Sequence, residues 1–261
     1  MWLCGSKGGR LSTSGVKAGK GRIFVPDERV EELDGSGTEK GTFIRSLYRL
    51  LEDHYGDLRW WPGETPFEIA VGAILTQNTN WRNVEKAIEN LKKQELLSPV
   101  VIAGAPDGRL EEAIRPSGFF RVKAKRLRAF SEFLVRSCGG TMDALFSEKL
   151  GELREKFLKI HGIGEETADS ILLYGLGKPV FVVDAYTRRI LERHGVSEGR
   201  ESYGNIQRLF LEALPVSPTA YNRCHALLVQ VGKDYCRKKP QCDGCPLSGP
   251  EGPQAGRGGP W

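Results

Sequence analysis

Apolar residues recur three and four apart along most of the chain. Phe43, Ile44, Leu47, Leu50, Leu51 and Tyr55 trace one helical stripe. Thr65-Pro66-Phe67-Glu68 has the form of a capping box with proline at the first helical position, and it opens a helix through Ile69, Ala73 and Ile74. Val84, Ala87, Ile88 and Leu91 mark the next helix. Leu127, Phe130 and Leu134 mark another, which Gly139-Gly140 ends. Further helices are predicted near 149–160, 165–175, 185–194, 202–213 and 218–232. Val180 to Val183 is apolar but too short to build a sheet. The predicted fold class is all-α, with two helical lobes and a cleft between them.

Outside 39–245 the pattern fails. Residues 1–38 are rich in glycine, poor in apolar residues and basic at first, so they read as a disordered basic leader. Residues 246–261 read as a disordered Pro/Gly tail. Of the 261 residues, 39% are hydrophobic, enough for a core across the body of the chain. No apolar run approaches the ~20 residues of a membrane span. The first ten residues lack the apolar stretch of a secretory signal. A cytoplasmic protein without a membrane partner is expected.

The net charge of +5 permits a phosphate-rich partner without demanding one. The basic residues cluster locally, at Lys123, Lys125, Arg126 and Arg128 and again at Arg237, Lys238 and Lys239. Either group is a solvated helix face or a nucleic-acid contact. Cys236, Cys242 and Cys245 also cluster. In a reducing compartment such a group points to a metal rather than to disulfides.

The most informative stretch is 157–190, FLKIHGIGEETADSILLYGLGKPVFVVDAYTRRI. One helix ends near Ile160. Gly162-Ile163-Gly164 makes a tight turn, and a second helix starts at Glu165. Glycines supply the backbone freedom of such a turn and let another backbone come close. Amides at the start of the new helix lack internal partners, and the helix dipole favours an anion there. A DNA phosphate meets that requirement, although an ordinary helix–helix loop would carry the same glycines. The apolar segment that follows delivers Asp184 to the start of the next helix, where it can cap that helix and still serve as a fixed catalytic carboxylate.

LKIHGIGEETADSIL followed by VVDAYTRRI resembles the helix-hairpin-helix, Gly-Pro-Asp glycosylases of the endonuclease III superfamily, over about residues 42–245. The resemblance implies two helical lobes, about 66–180 and 39–65 plus 181–245, binding double-stranded DNA across the cleft. It implies a monomer, associated with the nucleoid, that flips a damaged base out of the helix. Flipping is physically required, because the glycosidic carbon cannot be reached inside a stacked duplex. By resemblance, Gln77 takes the position that plugs the vacated gap. Phe119, in Ser117-Gly118-Phe119-Phe120, takes the position of the intercalating wedge. Capping and core packing are the plainer roles for these two side chains.

Two departures from the family pattern matter. Members that also cut the strand carry a lysine in the second hairpin helix, which forms a Schiff base with the sugar. Glu166 stands there in this chain, and a carboxylate cannot form an imine. The expectation is therefore a monofunctional glycosylase, with Asp184 stabilising the oxocarbenium-like transition state and orienting water. Lys159, Lys178 or Lys233 would have to replace the amine in a lyase. The second departure is that many relatives hold a four-iron, four-sulfur cluster on four cysteines. Cys236, Cys242 and Cys245 resemble the first three, but the fourth position falls near Glu251. Three thiolates with a borrowed ligand such as Cys4, Cys224 or a carboxylate would hold a cluster, or a zinc ion, and otherwise the loop packs without metal. A bound or vestigial iron–sulfur site is expected, and no cofactor is required for bond cleavage.

Trp60, Trp61 and Trp81 are three of the five tryptophans. An alkylated purine is cationic, and an aromatic face attracts a cation by ~1–2 kcal/mol. WWP followed by TQNTNW, with glutamate at the hairpin, is similar to the 3-methyladenine glycosylase branch. That resemblance places Trp61, Pro62 and Trp81 in the base pocket, with Lys233 near it. The alternatives are an endonuclease III-like glycosylase with lyase activity on oxidised or mismatched bases, and a non-catalytic helix-hairpin-helix module that only binds DNA.

Overall fold

The computed structural model describes residues 38–58 and 63–248. The expected leader up to residue 37, the tail from 249, and the pocket residues Trp61 and Pro62 lie outside the described residues. The described chain is helical: α1 Glu39–Tyr55, α2 Pro66–Leu75, α3 Trp81–Lys93, α4 Pro99–Gly104, α5 Asp107–Ala113, α6 Phe120–Cys138, α7 Leu150–Leu158, α8 Glu165–Ser170, α9 Ala185–Arg193, α10 Tyr203–Ala213 and α11 Pro218–Asp234. No helix among the described residues is long and apolar enough to cross a membrane.

The starts of these helices follow from side-chain caps. Thr65 Oγ1 accepts from the Glu68 amide at 3.1 Å, with Pro66 at the first helical position. Asn80, Ser202 and Ser217 cap α3, α10 and α11 in the same way. Thr38, expected to fall in the leader, caps α1 by accepting from Gly41 N at 3.2 Å. Helix α1 packs on α10 and α11, and α9 packs on α11. Helix α2 packs on α3, α6 and α8, while α4 and α5 lie on α6. One buried apolar cluster runs through all of these helices.

Three details differ from the sequence reading. Helices α4 and α5 were not anticipated, since six and seven residues are too few to display a period. The helix predicted over 165–175 is α-helical only to Ser170 and widens into a π-turn over Ile171–Gly175. Such single turns insert one extra residue and re-aim the side chains after them. This turn touches both α2 and α11. Finally, the expected tail is anchored at its start. Leu247 is buried in the core, worth roughly 2 kcal/mol, and Ser248 Oγ donates to Cys242 O and Cys245 O.

Candidate active site

The hairpin forms as its glycines predict. Helix α7 ends at Leu158, Ile163 is buried in the turn, and α8 starts after Gly164. Gly162 has φ +80°, and a Cβ there would lie 2.3 Å from Arg126 Cγ. Only glycine combines that backbone with that neighbour. Gly164 has an ordinary φ and open space around it.

Behind the hairpin lies a buried polar network. Asp169 is fully buried and pairs with Arg154, with Nε to Oδ1 at 2.7 Å and Nη2 to Oδ2 at 3.2 Å. Gln207 Nε2 donates to Asp169 Oδ2 and to Phe181 O, both at 2.7 Å. The Phe181 and Phe210 rings stack at 3.9 Å. The Val183 amide donates to the Tyr203 hydroxyl at 3.2 Å. These contacts fix the extended run Val180–Val183, and that run sets Asp184.

Asp184 caps α9. Its Oδ1 accepts from the Thr187 amide at 2.7 Å and from Thr187 Oγ1 at 2.9 Å. Its Oδ2 is left for other work and lies 3.8 Å from His225 Nε2 on α11. Glu166 is close enough to feel the Asp184 charge. Crowding by the protein and then that charge raise its pKa to about 7, with Arg188 opposing. By surface area Glu166 is exposed, although protein atoms crowd the carboxyl enough to raise its pKa. Two carboxyl groups therefore share the site, one of them held protonated more tightly than an ordinary glutamate.

Phe119, expected as the wedge, lies on an exposed loop. Phe119 is not core but 69% exposed, with φ +46° on the turn after Gly118. Phe120 instead lies against the Arg115 and Arg121 guanidiniums. The loop is held from below by Lys123, whose Nζ donates to Ser117 O at 2.6 Å and to Leu75 O at 2.9 Å. The sequence reading grouped Lys123 with a basic face, but it is 1% exposed, and burial lowers its pKa to about 8. Its neighbours are also engaged. Arg126 hydrogen-bonds Gln77 Oε1, and Arg128 holds Ala103 O and Ala105 O at 3.0 and 2.9 Å. Of that group only Lys125 stays exposed and outside these contacts.

Other expected residues are not gathered around Asp184. Gln77 Nε2 donates to Thr167 Oγ1 at 2.8 Å and to Gly162 O at 3.3 Å, so in this state it braces the hairpin. Trp81 Nε1 donates to Glu85 at 2.8 Å. Its ring borders a cleft of ≈ 240 Å³ lined also by Gly63, Glu68 and Lys92, and neither Asp184 nor Glu166 borders that cleft. Lys233 is exposed near the end of α11. Tyr174 and His225, which do meet beside Asp184, escaped the sequence reading. Residues 174, 184 and 225 share no local motif, and a histidine within an apolar helix reads as core.

The cysteine loop does not fit a four-ligand cluster. Cys236, Cys242 and Cys245 supply three thiols, and no cysteine follows them in the sequence. Among the described residues no set of three or more His, Cys, Asp or Glu side chains converges as a metal site. Guanidiniums of α9 hold the loop instead. Arg189 Nε donates to Cys236 O at 2.7 Å. Arg193 donates to Cys236 Sγ at 3.2 Å, Arg237 O at 2.7 Å and Lys238 O at 3.1 Å.

The hairpin, the capped aspartate and the exposed Phe119 loop are thus set in one helical fold. Residues 71–216 match the family model described as the HhH-GPD superfamily base excision DNA repair protein. A protein of Methanocaldococcus jannaschii, provisionally named a DNA repair glycosylase, is 47% identical over 209 residues, 80% of this chain and 95% of that one. The structure of H. pylori 3-methyladenine DNA glycosylase, bound to 1,N6-ethenoadenine, is similar at a TM-score of 0.65 and 30% identity, covering 75% of this chain and 98% of that one. A trapped endonuclease III–DNA covalent intermediate shares the fold at a TM-score of 0.69 and 21% identity, over 81% of this chain and 94% of that one. The chain belongs to the HhH-GPD superfamily and is a DNA repair glycosylase of that superfamily.

Proposed function

We propose that this glycosylase is monofunctional and releases alkylated purines such as 3-methyladenine from double-stranded DNA. The observation that carries the reading is a titratable carboxyl, Glu166, beside Asp184 at the position where a lyase needs an amine. Lys178, one amine that might have replaced it, is committed elsewhere, with Nζ donating to Phe146 O at 2.8 Å and Glu148 O at 2.7 Å. Similarity to a 3-methyladenine glycosylase over three quarters of the chain supports the choice of base.

The chemistry follows from the charges. An alkylated purine already carries a positive charge, so it leaves as a neutral base, taking the electron pair of the N-glycosidic bond. It needs no acid. The sugar is left with oxocarbenium character, which the Asp184 carboxylate stabilises electrostatically. Water adds to the sugar carbon and releases a proton. Glu166, with its pKa near neutrality, is suited to take that proton. The product is an abasic site on an intact strand. Phe119 fills the gap in the duplex, and the hairpin turn Gly162-Ile163-Gly164 approaches a phosphate.

The test is incubation with methylated DNA and, separately, with duplexes carrying an oxidised pyrimidine or a mismatch. Release of methylpurine, with strand breaks only after alkali, is expected. Release of a different base would overturn the substrate. Breaks without alkali, trapped by borohydride, would overturn the monofunctional reading. No base release from any duplex would favour the binding module.

A further inference from the structure

His225 belongs to the second layer of this site, and nothing in the reaction as described uses it. It lies on α11 and is 6% exposed. Nδ1 is 2.5 Å from the Tyr174 hydroxyl. Nε2 is buried, lies 3.8 Å from Asp184 Oδ2, and has no hydrogen-bond partner among the described residues. The Phe181 ring meets the imidazole edge-on at 6.2 Å.

The proton can be placed by elimination. Burial lowers the His225 pKa, opposed by Asp184, and raises that of Tyr174 well above its ordinary value. At neutral pH both are uncharged. A bare Nε2 lone pair turned toward a carboxylate would be repulsive, so Nε2 carries the hydrogen. Nδ1 is then an acceptor, and the Tyr174 O–H donates to it. Tyr174 reaches His225 from the π-turn, the distortion that separates it from the regular course of α8. The groups that bear on this pair are Asp184, at the start of α9, Cys224, beside His225 on α11, and Glu166, on α8.

We infer that His225, its tautomer fixed by Tyr174, is the positioning residue for Asp184, presenting Nε2–H to the one carboxylate oxygen that Thr187 does not hold. The 3.8 Å separation is longer than a hydrogen bond. A movement of Asp184 by about one ångström closes it, so the contact is available to tighten as substrate binds and positive charge develops on the sugar. Oδ1 and Oδ2 are then both fixed, one by α9 and one by α11. The inference rests on Asp184 being the catalytic carboxylate.

The experiment uses the full-length chain with 15N-labelled histidine. Long-range proton–nitrogen correlation at neutral pH reports the tautomer, and His225→Gln identifies the signal among four histidines. A neutral ring protonated on Nε2, losing its single tautomer in Tyr174→Phe, is expected. A ring protonated on Nδ1, or an imidazolium, overturns the inference without any variant having to fold. In parallel, single-turnover base release and DNA affinity are measured. Tyr174→Phe and His225→Leu are expected to slow release about tenfold or more at unchanged affinity, with His225→Gln, which keeps a donor, falling between them and wild type. Wild-type rates in both variants, with Asp184→Asn inactive, overturn the inference alone. An active Asp184→Asn overturns the reading of Asp184 on which it rests.

Discussion

Crowding and the charge of Asp184 raise the pKa of the Glu166 carboxyl from its ordinary 4.5 to about 7. The folded state therefore holds that proton more tightly than the unfolded chain. Its contribution to stability is full below about pH 4.5 and is lost as pH rises through about 7. Glu166→Gln has no proton to lose. Its melting temperature relative to wild type should be higher at pH 8 than at pH 5. Asp184→Asn removes the neighbouring charge, so the Glu166 midpoint should fall, which carboxyl-carbon NMR can follow. A midpoint unchanged in Asp184→Asn would show that crowding acts alone.

Glu166→Lys returns an amine to the hairpin helix beside Asp184. If residue 166 stands where a lyase nucleophile works, borohydride should trap this variant covalently on DNA bearing an abasic site, and wild type should not be trapped. Gel mobility after reduction reads the result. An untrapped Glu166→Lys that still binds the duplex would place residue 166 out of reach of the sugar.

The helices and the hairpin were legible in the sequence because they are local. The capping residue Thr65, the glycines of the turn and the apolar run ending at Asp184 each act within a few positions. Long-range encounters were not legible. Lys123 sits in a run of basic residues, and only the fold shows that its ammonium is spent on Ser117 O and Leu75 O. Gln77 looked like a side chain aimed at DNA, and the fold occupies it with Thr167 and Gly162. Trp81 is expected in the base pocket, and the fold sets its ring at a cleft with Glu68 and Lys92. In each case a polar or aromatic side chain chose a partner from a distant segment, and no periodicity encodes that choice.

If Phe119 is the wedge, its contribution is made only on DNA. It is exposed at a positive φ that a bulky residue rarely adopts. Phe119→Ala should change stability by no more than about 0.5 kcal/mol. It should weaken binding to a duplex containing an abasic site by about 1–3 kcal/mol, the worth of one base–aromatic stack. Thermal melts and fluorescence anisotropy separate the two. A large stability loss with unchanged affinity would return Phe119 to a packing role.

Gly162→Ala tests the tightest point of the hairpin. The φ of +80° disfavours any Cβ, and this one would meet Arg126 at 2.3 Å. Arg126 must then move, and with it the contact to Gln77 that braces the turn. A cost of about 2 kcal/mol is expected, which lowers the melting temperature by roughly 4–8 °C for a chain of this size. If the turn approaches a DNA phosphate as proposed, affinity for undamaged DNA should also fall. Gly164→Ala, at an ordinary φ with open space, is the control and should stay within about 0.5 kcal/mol of wild type.

The cysteine loop separates support by metal from support by arginine. Three thiols, with Glu251 near the fourth position, leave a four-cysteine cluster one ligand short. Arg193 meanwhile contacts a thiol and two carbonyls of the loop, and Leu247 beyond it is buried in the core. If the guanidinium carries the loop, Cys242→Ser should leave the melting temperature and base release near wild type, because Cys242 is exposed. Arg193→Ala should cost about 0.5–1.5 kcal/mol, the net worth of the lost hydrogen bonds, because the loop carbonyls it holds are exposed to water. It should also speed proteolysis after Lys238 or Lys239. Iron and acid-labile sulfide, measured on protein purified without oxygen, complete the test. Near-stoichiometric iron that Cys242→Ser abolishes, together with a collapse in stability, would mean that a metal centre and not Arg193 organises this end of the chain.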